Sequence, residues 1–167
     1  RLDGIVGEFL SFASMQPAKR KTTDIAEVLR DVKELLLARF DSATIELDLQ
    51  EPLITVADPG QMKQVFLNLG INGLEAAPDG KGRLEVYARP IQGVVRTGPA
   101  TIGVSFEDNG CGMPGDVAQE IFNPFFTTKT KGTGLGFAIC KRLIEQQNGT
   151  IKVFNNTDGV GVTFVIT

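Results

Sequence analysis

The segment from Gln61 to Ala77 constrains the fold of this chain more than any other. At 100° per helical residue, Gln61, Gln64, Asn68, Asn72 and Glu75 fall within one arc of about 80°, while Met62, Val65, Phe66, Leu69, Ile71 and Leu74 cover the remaining circumference. A helix this apolar has to be covered on most sides, which places it inside a packed layer. Its narrow polar stripe needs partners of its own, and a ligand cavity would supply them. Gly70 and Gly73 lie on the apolar side at a cost of roughly 1 kcal/mol each relative to alanine, so close packing against another element is expected to offset them.

The chain has 167 residues, about one domain's worth. Leu2, Ile5, Phe9 and Phe12 recur at helical spacing with no cap before Arg1, as in a helix cut from something longer. Pro17 and Lys19-Arg20-Lys21 read as a linker, and Thr22-Thr23-Asp24 offers N-caps for a helix reaching about Arg39. Strands are expected at Thr44 to Leu49, Ile54 to Ala57, Arg83 to Arg89, Thr101 to Glu107, Thr150 to Phe154 and Val160 to Ile166. A further helix runs from Gly134 to Gln147 and stops at Asn148-Gly149, a pair suited to a left-handed C-cap. Helices and strands in clusters favour an α+β two-layer sandwich, with a mixed, mostly antiparallel sheet of about five strands on about three helices.

Composition narrows the chemistry. A net charge of -3 and a pI near 5.0 argue against a nucleic-acid partner, which would select a basic surface. Cys111 and Cys140 lack metal-ligand spacing and read as reduced thiols of a cytoplasmic protein. No apolar run is long enough to span a bilayer, so no membrane contact by this segment is expected. Histidine is absent, which removes catalytic triads, imidazole acid/base catalysis and histidine-bound metals.

Two glycine clusters remain. Gly132, Gly134 and Gly136 do not follow a strand with dinucleotide-binding spacing, and no Gly-Lys-Ser/Thr sequence opens the helix, so Rossmann and P-loop readings fail. What is left is a glycine-rich segment before a helix N-terminus, which can serve either as a phosphate site or as a plain turn. Asp108, at a strand end beside Gly110 and Gly112, can accept a hydrogen bond from an exocyclic amine such as adenine N6, or form an Asx turn. Asn68 and Asn72, one helical turn apart, offer amide oxygens of the kind magnesium accepts alongside phosphate oxygens and water.

Four motifs in order carry a family resemblance covering roughly residues 20 to 167. The segment Gln64 to Ala76 resembles the N box of sensor histidine kinases, Asp108 to Met113 the G1 box, Ile121 to Lys129 the F box, and Gly132 to Ile139 the G2 box. Residues 1–19 are similar to the end of the dimerisation and phosphoacceptor helix plus a linker, and residues 20–167 to the catalytic ATP-binding domain that follows. The resemblance implies the Bergerat ATP-binding fold, shared with DNA gyrase, mismatch-repair ATPases and a heat-shock chaperone.

Carried over position by position, the resemblance makes Asp108 the adenine ligand, with Gly110 and Gly112 lining the base. Asn72 would ligate Mg2+, Asn68 would assist at the phosphates, and Lys129 would join both as a catalytic residue. Lys129 to Gly136 would form the ATP lid, with Thr128, Lys131, Gly132, Thr133, Gly134, Leu135 and Gly136 contributing to nucleotide binding. Phe122, Phe125 and Phe126 would anchor the lid, or serve simply as core. ATPases of this superfamily resemble one another in having a glutamate one turn before the magnesium asparagine; Asn68 stands there, and an amide cannot take the proton of an attacking water.

The implied activity is therefore transfer of the ATP γ-phosphoryl group to a histidine on the dimerisation domain, with a response regulator downstream. The alternatives are a serine kinase of anti-sigma type, an ATPase of the same fold, or an interaction module that binds no nucleotide. Glu75 departs from the lysine common in the family, which leaves a phosphate contact to Lys129 or Lys131. Gln146-Gln147-Asn148-Gly149 replaces a turn that commonly holds histidine, and the short lid resembles the nitrogen-regulation-like subgroup. The resemblance leaves open whether the parent protein is anchored in a membrane.

Overall fold

A computed structural model describes residues 16–78, 81–91, 100–129, 132–157 and 160–167. The helix expected from Leu2 to Phe12, Lys131 and residues 158–159 lie outside these residues. The described elements in chain order are β1 (Lys21–Asp24), α1 (Ile25–Arg39), β2 (Thr44–Leu49), β3 (Ile54–Ala57), α2 (Pro59–Ala76), β4 (Arg83–Pro90), β5 (Ile102–Asp108), α3 (Gly115–Glu120), α4 (Gly136–Gln146), β6 (Ile151–Asn155) and β7 (Val162–Ile166).

Five strands form one sheet in the order β2-β4-β5-β7-β6, and β1 pairs with β3 in a separate two-stranded ribbon. Only the β2–β4 pair in the large sheet is parallel, with Thr44 opposite Arg83; the other pairs are antiparallel. The mixed sheet and α+β layering match the expectation from the sequence. Along β5 burial alternates strictly, with Ile102, Val104, Phe106 and Asp108 on the covered face. On β7, Val162, Phe164 and Ile166 take the same face. Period-two alternation thus delivers a carboxylate, Asp108, to the last core position of a central strand.

Helix α2 is covered as its composition requires, with Met62, Val65, Phe66, Leu69, Gly70, Gly73 and Leu74 buried. Phe66 meets Phe106 of β5 with ring centroids 5.4 Å apart, joining helix layer to sheet. Its glycines mark close approaches. A Cβ on Gly70 would come within 2.5 Å of Leu36 Cδ1 on α1, and one on Gly73 within 3.0 Å of Asp108 Cβ. The packing that offsets both glycines is therefore with α1 on one side and with the site strand on the other.

Caps fix where the helices begin. Asp24 accepts from the Ala26 amide at 2.9 Å, whereas Thr23 is used in the β1–β3 ribbon, where its hydroxyl donates to the Ala57 carbonyl at 2.9 Å. Asp58 Oδ1 accepts from the amides of Gly60 and Gln61 at 3.0 and 3.1 Å, so α2 starts at Pro59, two residues before the apolar pattern alone indicates. Its Oδ2 accepts from the Lys19 amide at 2.7 Å, tying the linker to the helix. Burial by itself would raise the Asp58 pKa; the amides of Lys19, Gln61 and Gly60 outweigh it and hold the carboxyl below its ordinary 3.8.

A depressed folded-state pKa means the cap stabilises above pH 3.8 and is lost as pH falls through the folded value. Asp58→Ala is expected to cost about 1 kcal/mol in urea unfolding at neutral pH. The gap from wild type should close in acid; a gap independent of pH would contradict the cap's ionic character.

At the other end of α4, Asn148 adopts φ 62°, the left-handed C-cap anticipated from Asn148-Gly149. No helix among the described residues is long and apolar enough to cross a membrane.

Candidate functional site

Asp108 is 5% exposed, a buried carboxylate with no cation paired to it among the described residues. Its Oδ1 accepts from the Gly110 amide at 2.9 Å and the Val162 amide at 3.2 Å. Burial pushes its pKa above the ordinary carboxylate value, and these two amides offset part of the rise. Both amides hold the same oxygen, so the carboxyl group is oriented with Oδ2 directed away from them. Gly110 is required by contact, since a Cβ there would lie 2.7 Å from Ala76 Cβ on α2. Gly112 has φ 74°, a conformation that favours glycine. The Asx turn weighed as the alternative for Asp108 is present, in the Gly110 contact, and it positions the carboxylate.

Residues that pattern reading did not single out complete this end of the site. Asn155 clamps the loop after Asp108: its Oδ1 accepts from the Met113 amide at 2.8 Å and its Nδ2 donates to the Met113 carbonyl at 2.7 Å. Asn156 Nδ2 donates to the carbonyls of Asp108 at 3.0 Å and Val160 at 2.8 Å. Gly161, at φ 84°, lies so close to the Asp108 carbonyl that any Cβ would overlap it. The Asn-Asn pair after a strand and the Gly-Val-Gly run before the last strand were the available signals.

About one helical turn further along α2 from Asn68, the Asn72 side chain faces Lys129. Its Nδ2 donates to the Asn68 carbonyl at 2.8 Å, which leaves Oδ1 pointing outward. There Oδ1 accepts from Lys129 Nζ at 2.9 Å, and the same ammonium pairs with Glu75 Oε2 at 2.8 Å. An exposed amide oxygen that already holds a cation, with a carboxylate beside it, is a donor set that fits magnesium. The buried thiol of Cys140 on α4 donates to the Val65 carbonyl of α2 at 3.9 Å, and burial pushes its pKa up to about 12. Gln61 reaches α4 as well, donating to Gln146 Oε1 at 3.0 Å. Two parts of the polar stripe of α2 thus have protein partners: Gln61 on α4, and Asn72 with Glu75 at Lys129.

The segment leading into α4 is shaped by glycine. Gly134 has φ 70° and a Cβ there would collide with the Phe125 backbone, while the Phe125 amide donates to the Gly134 carbonyl at 2.9 Å. A Cβ on Gly136, the first residue of α4, would be 4.0 Å from Asn72 Nδ2, so the helix N-terminus abuts the asparagine. Leu135 stands at the N-cap and makes no side-chain cap bond. Thr133 Oγ1 accepts from the Leu135 amide at 3.4 Å, and Thr127 Oγ1 accepts from the Lys129 amide at 3.1 Å. Thr128 and Gly132 lie exposed on this segment.

The three phenylalanines divide. Phe122 meets Phe137 and Phe164 edge-on at 6.3 and 6.5 Å, and Phe126 packs partly against the core. Phe125 is 62% exposed at φ 69° and fills no core position.

The arrangement of a strand-end carboxylate, an asparagine helix and a glycine-rich helix entrance accords with what the chain is similar to. Its residues 57–167 match the histidine kinase-, DNA gyrase B- and HSP90-like ATPases, and the chain belongs to that family. Sporulation kinase B of Bacillus subtilis (strain 168) is 32% identical over 168 residues, which are 99% of this chain and 37% of that protein. The solved structure of full-length ShkA in complex with AMPPNP superposes with a TM-score of 0.82 at 28% identity, over 99% of this chain and 35% of that one. Histidine kinase ThkA in complex with the response regulator TrrA gives 0.76 at 27% identity, over 99% and 46%. The chain thus spans less than half the length of each of these proteins.

Proposed function

We propose that this chain is the catalytic ATP-binding domain of a sensor histidine kinase. It transfers the γ-phosphoryl group of ATP to a histidine on the dimerisation domain of its parent protein, and a response regulator is the downstream acceptor. In this reading residues 20–167 are the catalytic unit and residues 1–19 its link to the dimerisation helix. The observation that carries the proposal is the pairing of a buried, singly anchored carboxylate at Asp108 with an amide, not a carboxylate, at Asn68.

Asp108 Oδ2 takes the adenine amine, and Gly110 and Gly112 let the base approach the backbone. The N-terminus of α4, with no side-chain cap, presents its amides to phosphate, with Lys129, Thr128 and Thr133 as further ligands; Lys131, outside the described residues, is assigned to the phosphates from its place in the sequence. Asn72 Oδ1 would hold magnesium together with phosphate oxygens, and the ion would supply neutralisation of the triphosphate charge. Asn68 offers an amide and no base to activate water, which makes hydrolysis slow. A neutral imidazole is a competent nucleophile without such a base. No histidine lies on this chain, so the acceptor comes from elsewhere.

The test is labelled ATP with the purified chain, with and without the histidine-bearing domain of its parent. Acid-labile label should appear on that domain and hydrolysis by the chain alone should be slow. Vigorous hydrolysis alone, or acid-stable label on a serine, would overturn the reading in favour of the ATPase or the serine kinase.

A further inference from the structure

Lys129 and Arg39 converge on Glu75, beside the outward oxygen of Asn72. Lys129, from the lid, places Nζ 2.9 Å from Asn72 Oδ1 and 2.8 Å from Glu75 Oε2. Arg39, the last residue of α1, reaches the other carboxylate oxygen, Glu75 Oε1, at 3.3 Å. The single amide oxygen of Asn72 is held in this direction because its Nδ2 is committed to the Asn68 carbonyl. Glu75 is braced by α1 and lies one turn from Asn72 on the same face of α2.

We propose that Glu75 is a positioning residue: it parks the Lys129 ammonium on the oxygen of Asn72 that magnesium takes, an internal cation latched there until the metal-nucleotide displaces it. The proposal rests on the reading of Asn72 as the metal ligand. A lysine ammonium and a magnesium ion cannot both sit within bonding distance of one amide oxygen, since like charges at that separation repel strongly. Loading is then an exchange of cations, and the released Lys129 is free to turn to the phosphates. Glu75, at a position where the family commonly carries lysine, acquires a role through this exchange. It does not contact phosphate; it holds the residue that gives way.

Lys129 and Glu75 are 46% and 37% exposed, so the latch is a modest one, and releasing it should change affinity roughly two- to fivefold. Calorimetric titration with ATP, in magnesium and in EDTA, tests this on the wild type, Glu75→Gln, Lys129→Met and the double variant. Glu75→Gln should tighten magnesium-ATP by that factor, show a smaller gain in EDTA, and have no effect in the Lys129→Met background; Glu75→Asp should restore wild-type behaviour. Simple removal of a negative charge would instead help metal-free ATP at least as much, because it is the more highly charged anion. An equal gain in EDTA, an equal gain without Lys129, or no gain at all overturns the latch while leaving the ATP site standing. A wild-type chain that bound no magnesium-ATP would overturn the functional reading and the latch together.

Discussion

Asp108→Asn is expected to weaken ATP binding by about ten- to a hundredfold, the cost of losing a hydrogen bond to a charged acceptor, while leaving the fold intact. The asparagine retains an oxygen for the Gly110 and Val162 amides, which hold Oδ1 at 2.9 and 3.2 Å. Satisfying them forces the new NH2 group into the place of Oδ2, where it faces the adenine amine donor to donor. The pH dependence gives the same assignment a second test. Burial raises the Asp108 pKa above 3.8, so the folded state favours the protonated form. The ionised carboxylate therefore costs stability above the folded pKa, and that cost is relieved as pH falls towards 3.8. Asp108→Asn should melt no lower than wild type at neutral pH, and its weak ATP affinity should stay flat where wild-type affinity declines on acidification. Calorimetry and thermal melts over that range are the measurements, and unchanged affinity in the variant would sink the adenine assignment.

What could be read in advance follows from how local each signal is. Helix α2 was legible because its apolar residues leave only a narrow stripe, and β5 because it alternates without a break up to Asp108. The cap at Asn148 was legible because left-handed backbone selects very few residue types. β1 was not: Lys21 to Asp24 carry a basic residue and a capping aspartate, and become a strand only because Thr22 and Thr23 face Val56 and Thr55 more than thirty residues on. α3 is a six-residue helix with no buried residue, so no apolar period marks it. In the site, Asp108, Asn72 and the glycines announced themselves by type and spacing. The stripe on α2 has a protein partner at its first residue, since Gln61 donates to Gln146 on α4. Glu75 looked like a bare departure because its partners, Lys129 and Arg39, lie 54 and 36 positions away.

Gly161 was missed for a related reason, and its replacement by alanine is expected to produce the largest loss of stability. Two costs add. At φ 84° an alanine is strained, and its Cβ would overlap the Asp108 carbonyl oxygen, which Asn156 Nδ2 already holds at 3.0 Å. Left-handed strain and overpacking together come to about 3 kcal/mol, which for a domain of this size lowers the melting temperature by about 6 to 12 °C. Relief requires β7 to move away from the end of β5, and the next residue, Val162, is the one whose amide holds Asp108 Oδ1. The damage should therefore reach the site as well as the fold. Well below its melting point, where the variant is fully folded, Gly161→Ala should bind ATP several-fold more weakly than wild type. Ile166→Ala, on the covered face at the far end of β7, serves as the control that loses stability without disturbing Asp108. If both variants lost stability but bound ATP equally well, Asp108 would be held independently of its neighbour strand, and Gly161 would be a residue of the fold alone.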